Sequence, residues 1–157
     1  MKNEKNALKA AVDVLSRRPL SEKELSDKLL KKGFEEEEVQ KVIEHLRSLA
    51  LLDDEEYAGM VVRHYAAMGY GEMKVRSELY RRGLGRDIIE CMMQDFSSDP
   101  DKIYEIMRAK IKVLPPDAKE KKRIFDMMLR KGYMSDDIRD ALSRISADMG
   151  EDDGWQI

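Results

Sequence analysis

The sequence predicts an all-α fold of three tandem three-helix repeats that stack into an elongated, curved molecule. Charged residues make up 39% of the chain and aromatic residues only 6%, a balance that favours helices over sheet. A motif of two basic residues, a glycine and an apolar residue also recurs three times, as Lys31-Lys32-Gly33-Phe34, Arg81-Arg82-Gly83-Leu84 and Arg130-Lys131-Gly132-Tyr133. Recurrence at a fixed spacing is typical of helical repeat proteins.

Two helices of each repeat follow from the apolar residues around the motif glycine. The three glycines lie 50 and 49 residues apart, and apolar residues fill the same seven offsets around each of them. Three offsets precede the glycine, and four follow it at the i, i+3, i+4, i+7 spacing of one helix face. The 21 matching residues are Leu25, Leu29, Leu30, Val39, Val42, Ile43 and Leu46, then Val75, Leu79, Tyr80, Ile89, Met92, Met93 and Phe96, then Ile124, Met128, Leu129, Ile138, Ala141, Leu142 and Ile145.

The motif glycine is expected to end the first of these two helices. A glycine at the C′ position adopts the left-handed conformation, and the apolar residue after it packs back on the last turn. The basic pair lies in that turn, where cations suit the helix dipole. A bulkier residue at Gly83 is expected to lower the melting temperature. At the other end of the first repeat's helix, Ser21-Glu22-Lys23-Glu24 predicts a capping box.

One more helix is predicted to begin each repeat. Three positions repeat at common offsets from the glycine, although the match loosens in the third repeat: Ala7, Ala11 and Leu15, then Tyr57, Val61 and Tyr65, then Ile106, Lys110 and Leu114. Pro115-Pro116 is expected to end this helix in the third repeat. The predicted repeats are residues 1–52, 53–98 and 99–147, followed by an acidic tail, 148–157, that we expect to be mobile.

Composition bounds the class of protein. The single cysteine, Cys91, cannot form an internal disulfide, and no apolar run approaches the ~18 residues of a membrane span, so we expect a cytoplasmic protein without a membrane segment. His45 and His64 have no metal-ligand spacing, and no phosphate-binding loop or nucleophile motif occurs. The sequence therefore predicts no catalytic residue, no metal and no cofactor.

Basic residues gather on the middle helices of the second and third repeats, with Tyr70 and Tyr80 beside them. Solubility and helix-end charge would explain any one of these cations. As a group they suit an acidic protein groove or a phosphate backbone. The cations are Lys74, Arg76, Arg81 and Arg82, then Lys119, Lys121, Lys122, Arg123, Arg130 and Lys131.

Four strings between residue 6 and about residue 146 resemble the signatures of the RecX family. They are Arg17 to Leu25 followed by Lys28-Leu29, Leu52-Asp53-Asp54-Glu55-Glu56-Tyr57-Ala58, Gly69-Tyr70-Gly71 through Arg82-Gly83, and Arg130-Lys131-Gly132-Tyr133 with Ile138. The resemblance implies three tandem three-helix repeats and a non-catalytic protein. It also implies binding in the helical groove of RecA filaments, with inhibition of recombinase and coprotease activity.

On that resemblance, the concave surface of the second and third repeats is expected to contact adjacent RecA subunits. The expected contacts are, in order, Lys74, Arg76, Arg81 and Arg82, then Arg130 and Lys131, with support from Tyr70. Replacing Arg76 and Arg82 by Glu should weaken binding without unfolding the chain, because both positions are predicted to be exposed. We expect a monomer.

Direct binding to DNA is the alternative. The third repeat carries a net charge of +3, and paired helices around a glycine turn resemble a helix-turn-helix. A helical nucleic-acid-binding module of this kind would bind bare DNA tightly, with affinity falling steeply as salt rises. The second repeat has a net charge of −3, and His64-Tyr65-Ala66-Ala67-Met68 stands where RecX proteins often have several basic residues. Weak binding to single-stranded DNA is therefore the most that the sequence favours.

Overall fold

The computed structural model describes residues 4–154, and it describes side chains for residues 5–149. Within that range the chain forms nine helices and no strand, which confirms the all-α prediction. The helices are α1 (Glu4–Arg17), α2 (Glu22–Lys31), α3 (Glu36–Ser48), α4 (Asp54–Ala67), α5 (Glu72–Arg81), α6 (Arg86–Met93), α7 (Pro100–Lys110), α8 (Ala118–Arg130) and α9 (Ser135–Gly154). None of the helices described is long and apolar enough to cross a membrane.

The predicted glycine stops are present at the ends of α2, α5 and α8. Gly33, Gly83 and Gly132 have φ values of 92°, 79° and 94°. In each turn the glycine N–H donates to the carbonyl three residues earlier, and the next N–H donates to the carbonyl five residues earlier. This pattern is the Schellman motif, and it satisfies carbonyls that the helix end leaves without partners.

The predicted capping box also forms at the start of α2. The Ser21 hydroxyl accepts a bond from the Glu24 N–H (3.0 Å), and the Glu24 carboxylate accepts one from the Ser21 N–H (3.1 Å). Ser21 Oγ donates in turn to the Arg82 carbonyl at 2.6 Å, which fixes the start of α2 against the end of α5. This contact between distant parts of the sequence was not predicted.

The three helices of the first repeat pack against one another around a continuous core. Helix α3 contacts both α1 and α2. The core positions follow the predicted offsets on α2 and α3, and α1 adds its small Ala7 and Ala11. The buried core residues are Ala7, Ala11, Leu20, Leu25, Leu29, Phe34, Val39, Val42, Ile43, Leu46 and Leu52.

The third repeat has a similar core, but its first helix is shifted from the predicted alignment. Helix α7 buries Ile103 and Met107, and the residue after its end, Ile111, is also buried. The predicted positions Lys110 and Leu114 are exposed. Helix α7 ends at Lys110, five residues before the first proline, so the prediction that the proline pair ends it was wrong.

Polar side chains of α8 bind the connection between α7 and α8, which is longer than the alignment predicted. The carboxylate of Glu120 accepts a bond from the Lys112 N–H at 3.1 Å, and Arg123 donates to the Lys110 carbonyl at 2.7 Å. Arg123 also pairs with Glu120. A side-chain linkage of this kind leaves no trace in apolar periodicity, so the offset pattern could not reveal the longer connection.

The chain divides into two compact units. Unit 1 contains residues 1–63 and 77–92, and unit 2 contains residues 64–76 and 93–157. The chain passes between the units three times: within α4, within α5 and before the last residue of α6. The residue limits 1–52, 53–98 and 99–147 stay predictions. Helix α9 continues past residue 147 to Gly154, residues 155–157 lie outside the described range, and the mobility of the predicted tail also stays a prediction.

Candidate partner-binding site

Tyr70 is positioned by the helix stop of α4. Gly69 has a φ of 84° and donates to the Ala66 carbonyl, while the Tyr70 N–H donates to the Tyr65 carbonyl at 3.0 Å. The two tyrosine rings lie 5.4 Å apart between centroids. Helix α4 therefore ends in the same way as α2, α5 and α8, with a glycine followed by an apolar residue. The pair Gly69-Tyr70 was the sequence signal for this helix end.

Two glycine-containing turns meet backbone to backbone beside Tyr70. The Gly71 N–H donates to the Lys131 carbonyl at 2.8 Å, and the Met73 N–H donates to the Gly132 carbonyl at 2.9 Å. A Cβ on Gly71 would lie 2.5 Å from the Tyr133 nitrogen, and one on Gly132 would lie 2.3 Å from the Lys74 nitrogen. Only glycine permits so close an approach. We call this contact the glycine joint.

Tyr133 closes the glycine joint from the other side. Its hydroxyl donates to the Gly69 carbonyl at 2.6 Å. Burial raises the pKa of Tyr133, because the phenolate would lose its hydration there, so the hydroxyl stays protonated and continues to donate. The segment from Gly69 to Gly71 is therefore held by hydrogen bonds at both of its ends.

The glycine joint brings three predicted site residues together. The ammonium groups of Lys74 and Lys131 lie 5.9 Å and 5.2 Å from the centroid of the Tyr70 ring. Both distances are within cation–π range. All three side chains are partly exposed. This tyrosine–lysine cluster presents two positive charges around one aromatic ring, an arrangement suited to a carboxylate or phosphate group.

Arg81 and Arg82 belong to a different cluster, in unit 1. Both pair with Glu78, whose side chain is buried, and the Arg82–Glu78 bond is 2.8 Å long. Arg82 also donates to the Tyr57 hydroxyl at 2.8 Å. Burial raises the pKa of Tyr57. The arginines here compensate a buried carboxylate, which is a structural task in addition to any role in binding.

The predicted site residues differ in exposure. The Arg81 side chain is 69% exposed, and Arg130 is also exposed. Arg82 and Arg76 are only 23% and 26% exposed, and Arg76 pairs with Glu72 at 3.2 Å. The prediction that Arg76 and Arg82 are exposed was therefore wrong, because neighbouring carboxylates draw both guanidinium groups against their helix.

One predicted core position in each repeat is instead on the surface. Leu30, Tyr80 and Leu129, three residues before the motif glycines, are 41%, 52% and 42% exposed. On a helix this position lies about 140° from the one eight residues before the glycine, so it falls at the edge of the apolar stripe. Each repeat thus has an exposed apolar residue next to its basic pair, which the apolar pattern alone had assigned to the core.

No group of three or more His, Cys, Asp or Glu side chains in the described part of the chain could hold a metal ion. Cys91 is exposed.

Three family models match successive parts of the chain. The first three-helix domain of RecX matches residues 7–46, the second matches residues 53–93, and the third matches residues 98–142. The three matches follow one another in the order of the family and together cover most of the chain. The prediction of three tandem three-helix repeats is therefore confirmed.

Relatives of similar length carry one common name. The protein named Regulatory protein RecX from Xanthomonas campestris pv. campestris (strain B100) is 32% identical over 138 residues, which are 87% of this chain and 85% of the relative. The protein of that name from Stenotrophomonas maltophilia (strain R551-3) is 31% identical over 140 residues, 88% of this chain and 86% of the relative. These relatives are named as regulators and not as enzymes.

Solved structures have the same fold. The crystal structure of RecX from Lactobacillus salivarius matches with a TM-score of 0.81 at 22% identity, covering 90% of this chain and 96% of that one. A second structure, described as regulatory protein RecX, matches with a TM-score of 0.75 at 20% identity, covering 90% of this chain and 71% of the other. With the family models and the sequence relatives, these matches lead to one conclusion: the chain belongs to the RecX family.

Proposed function

We propose that this chain binds RecA filaments in their helical groove and inhibits the recombinase and coprotease activities of RecA. Membership in the RecX family supports the proposal, because its relatives are named regulatory proteins. In this proposal the protein acts in the cytoplasm as a monomer, and it acts by binding alone, without a cofactor.

The observation that carries the proposed binding site is the tyrosine–lysine cluster. Its two ammonium groups lie 5.2 Å and 5.9 Å from one tyrosine ring, and the glycine joint fixes the backbone beneath them. A backbone that is already fixed loses little conformational entropy on binding. Aromatic rings next to cations are common at the energetic centre of protein interfaces. We therefore infer that Tyr70, Lys74 and Lys131 contact an acidic surface of the filament.

The remaining arginines are proposed contacts of lower weight. Arg130 is exposed and can reach a partner, and so is Arg81, although Arg81 also pairs with Glu78. Arg76 and Arg82 are each engaged with a carboxylate of this chain, so a partner would have to share them. Replacing Arg82 would also leave Glu78 with one cation fewer, and a binding defect in that variant would be mixed with a stability defect.

ATP hydrolysis by the cognate RecA on single-stranded DNA is the activity to titrate with this protein. We expect hydrolysis to fall at substoichiometric concentrations, as it would if filament growth is blocked. The variant K74Q/K131Q keeps a flexible polar side chain at both positions and removes two charges, so about tenfold more protein should be needed for the same inhibition. The control K5Q/K9Q makes the same charge change at two exposed lysines of α1.

Two results would contradict the proposal. If K74Q/K131Q inhibits as well as the wild type, the tyrosine–lysine cluster is not the contact. If the wild-type protein binds no filament and leaves hydrolysis unchanged, RecA is not the partner. Melting temperatures of both double variants show whether the fold has been preserved.

Direct action on DNA is a second candidate, because three lysines of α8, at positions 119, 121 and 122, are exposed. A protein of this kind would inhibit RecA by occupying the strand. Added single-stranded DNA should then relieve the inhibition, and K119Q/K122Q should be the defective variant. If inhibition persists in excess DNA, the filament-binding proposal is favoured.

A further inference from the structure

An apolar groove in unit 1 lies between the end of α1, the connection from α3 to α4, and α4 itself. Its volume of about 280 Å³ is just below the ~300–1,000 Å³ of small-molecule sites, so it suits one or two side chains of a protein better than a free ligand. We call it the leucine groove. Its large apolar lining residues are Leu15, Leu20, Leu51, Leu52, Tyr57 and Met60.

Leu51 is exposed at a position where the other helix stops bury their apolar residue. Its N–H donates to the Leu46 carbonyl at 3.0 Å, the bond that defines this position in a Schellman turn. Leu51 is nevertheless 60% exposed. A single exposed leucine is ordinary, but Met60 of the same groove is exposed as well, so the leucine groove offers an apolar surface that a partner can cover. The buried counterparts of Leu51 at the three glycine stops are Phe34, Leu84 and Tyr133.

The charged residues that line the leucine groove are both acidic. They are Asp53 and Glu56, which are exposed, and neither forms an ion pair with another described residue. Asp53 accepts two backbone N–H bonds at the start of α4, each 3.1 Å long, and these leave its negative charge in place. Arg18 donates to the carbonyl of the groove residue Pro19 at 3.3 Å, but it also pairs with Glu24 at 3.6 Å. The groove therefore combines an apolar lining with uncompensated negative charge.

We propose that the leucine groove binds a basic segment of a partner protein that carries a large apolar side chain. The apolar side chain packs on Leu51 and Met60, and the lysines or arginines beside it pair with Asp53 and Glu56. Burial of the apolar side chain supplies most of the affinity, while the charges select a basic partner. Because the two carboxylates repel phosphate groups, neither nucleic acid nor an anionic lipid surface fits this groove.

This site is distinct from the proposed RecA contact and does not rest on it. The tyrosine–lysine cluster belongs to unit 2 and attracts acidic groups, whereas the leucine groove belongs to unit 1 and attracts basic ones. The variant K74Q/K131Q should therefore leave binding at the leucine groove unchanged.

The test is binding of a fluorescent hexapeptide, Lys-Lys-Leu-Leu-Lys-Lys, to the full chain at low salt, followed by fluorescence anisotropy. Two companion peptides replace the leucines by serine or the lysines by glutamate. Each companion should bind at least about tenfold more weakly, because one lacks the apolar side chains and the other carries the wrong charge. The proposal fails if the first peptide does not bind, or if either companion binds as well.

Variants of the protein locate the peptide on its surface. Leu51→Gln should weaken binding of the first peptide about tenfold, and Glu56→Gln about threefold. Leu30→Gln and Glu36→Gln make the same changes at exposed positions outside the leucine groove, so they should bind as the wild type does. Melting temperatures of all four variants check that the fold is preserved.

Two results with these proteins would overturn the proposal. Wild-type affinity in Leu51→Gln would show that the peptide binds elsewhere. Sedimentation of the protein alone tests whether a second copy occupies the groove: a dimer that forms in the wild type and is lost in Leu51→Gln would assign the groove to self-association and not to a basic partner.

Discussion

Two joints in the molecule occupy the same position in the repeat but are built from different chemistry. Ser21 and Gly71 each lie 12 residues before a motif glycine, and each bonds to the carbonyl just before the next motif glycine, in Arg82 and Lys131. In unit 1 a serine hydroxyl makes the bond, at 2.6 Å. In unit 2 the backbone N–H of Gly71 makes it, at 2.8 Å.

The residues around the two joints show what this difference permits. Leu20 and Glu24 of unit 1 correspond in the repeat to Tyr70 and Lys74 of unit 2. Leu20 is buried and Glu24 completes a capping box, so both serve the fold. Tyr70 and Lys74 are partly exposed and lie beside one another. One framework therefore serves stability in unit 1 and presents a candidate binding surface in unit 2.

Of the substitutions that test this comparison, Gly132→Ala is expected to change the free energy of unfolding most. The new Cβ would meet the Lys74 backbone at 2.3 Å, and φ is 94°. Overpacking and left-handed strain together should lower the free energy of unfolding by about 3 kcal/mol. Gly85→Ala is the matched control, since open space surrounds Gly85. Urea unfolding measures both, and equal stabilities would show that the glycine joint tolerates a side chain.

Ser21→Ala should have the next largest effect. It removes the cap of α2 and leaves the Arg82 carbonyl without its hydroxyl donor. A loss of about 2 kcal/mol is expected, measured by the same unfolding experiment. Ser77→Ala changes an exposed serine within α5 and should be nearly neutral. A neutral Ser21→Ala would mean that the hydroxyl contributes little to the unit 1 joint.

Gly83→Ala is expected to cost less than Gly132→Ala, although the two glycines are equivalent in the repeat. The atoms nearest to a Cβ on Gly83 belong to the Lys23 side chain, at 2.6 to 3.0 Å, and not to backbone. The outer carbons of Lys23 can move aside, whereas its Cβ, at 2.8 Å, cannot, so we expect an intermediate loss of about 1.5 kcal/mol. The loss should shrink in a Lys23→Ala background. A loss as large as that of Gly132→Ala would show that the unit 1 joint is equally tight.

Ala50→Gly is expected to have the smallest effect, and it separates the cost of left-handed backbone strain from the cost of a steric contact. Ala50 occupies the left-handed position at the end of α3, with a φ of 56° and the same Schellman bonds as the glycine stops. Ala50→Gly should therefore raise the free energy of unfolding by about 0.5 to 1 kcal/mol. This gain measures the strain alone, so its comparison with Gly132→Ala isolates the cost of contact. A destabilised Ala50→Gly would show that strain is not the dominant effect at this position.

Local rules made most of the fold predictable. Helix ends depend on residues within one turn of helix, so the residue types there predict them. This applies to the glycine stops at Gly33, Gly83 and Gly132 and to the capping box at Ser21. The same rule applied to Gly69-Tyr70 would have found the stop of α4. The Ala50 stop carries no such signal, because alanine adopts that conformation only when its surroundings impose it.

The candidate site could be predicted only in part. The sequence identified Tyr70, Lys74 and Lys131 as residues suited to binding, from their charge and aromatic character. It could not pair them, because the Gly71–Lys131 bond joins residues 60 positions apart. It also misjudged Arg76 and Arg82, since apolar periodicity does not record which carboxylate a guanidinium group will meet.

The sequence by itself determined where helices begin and end, which faces are apolar, and that the pattern recurs three times, because those properties depend on neighbours along the chain. The tertiary structure alone decided that Gly71 and Gly132 meet and that Lys131 lies next to Tyr70. These contacts depend on how the helices pack, and helix packing brings together residues whose separation in the sequence carries no signal of their approach.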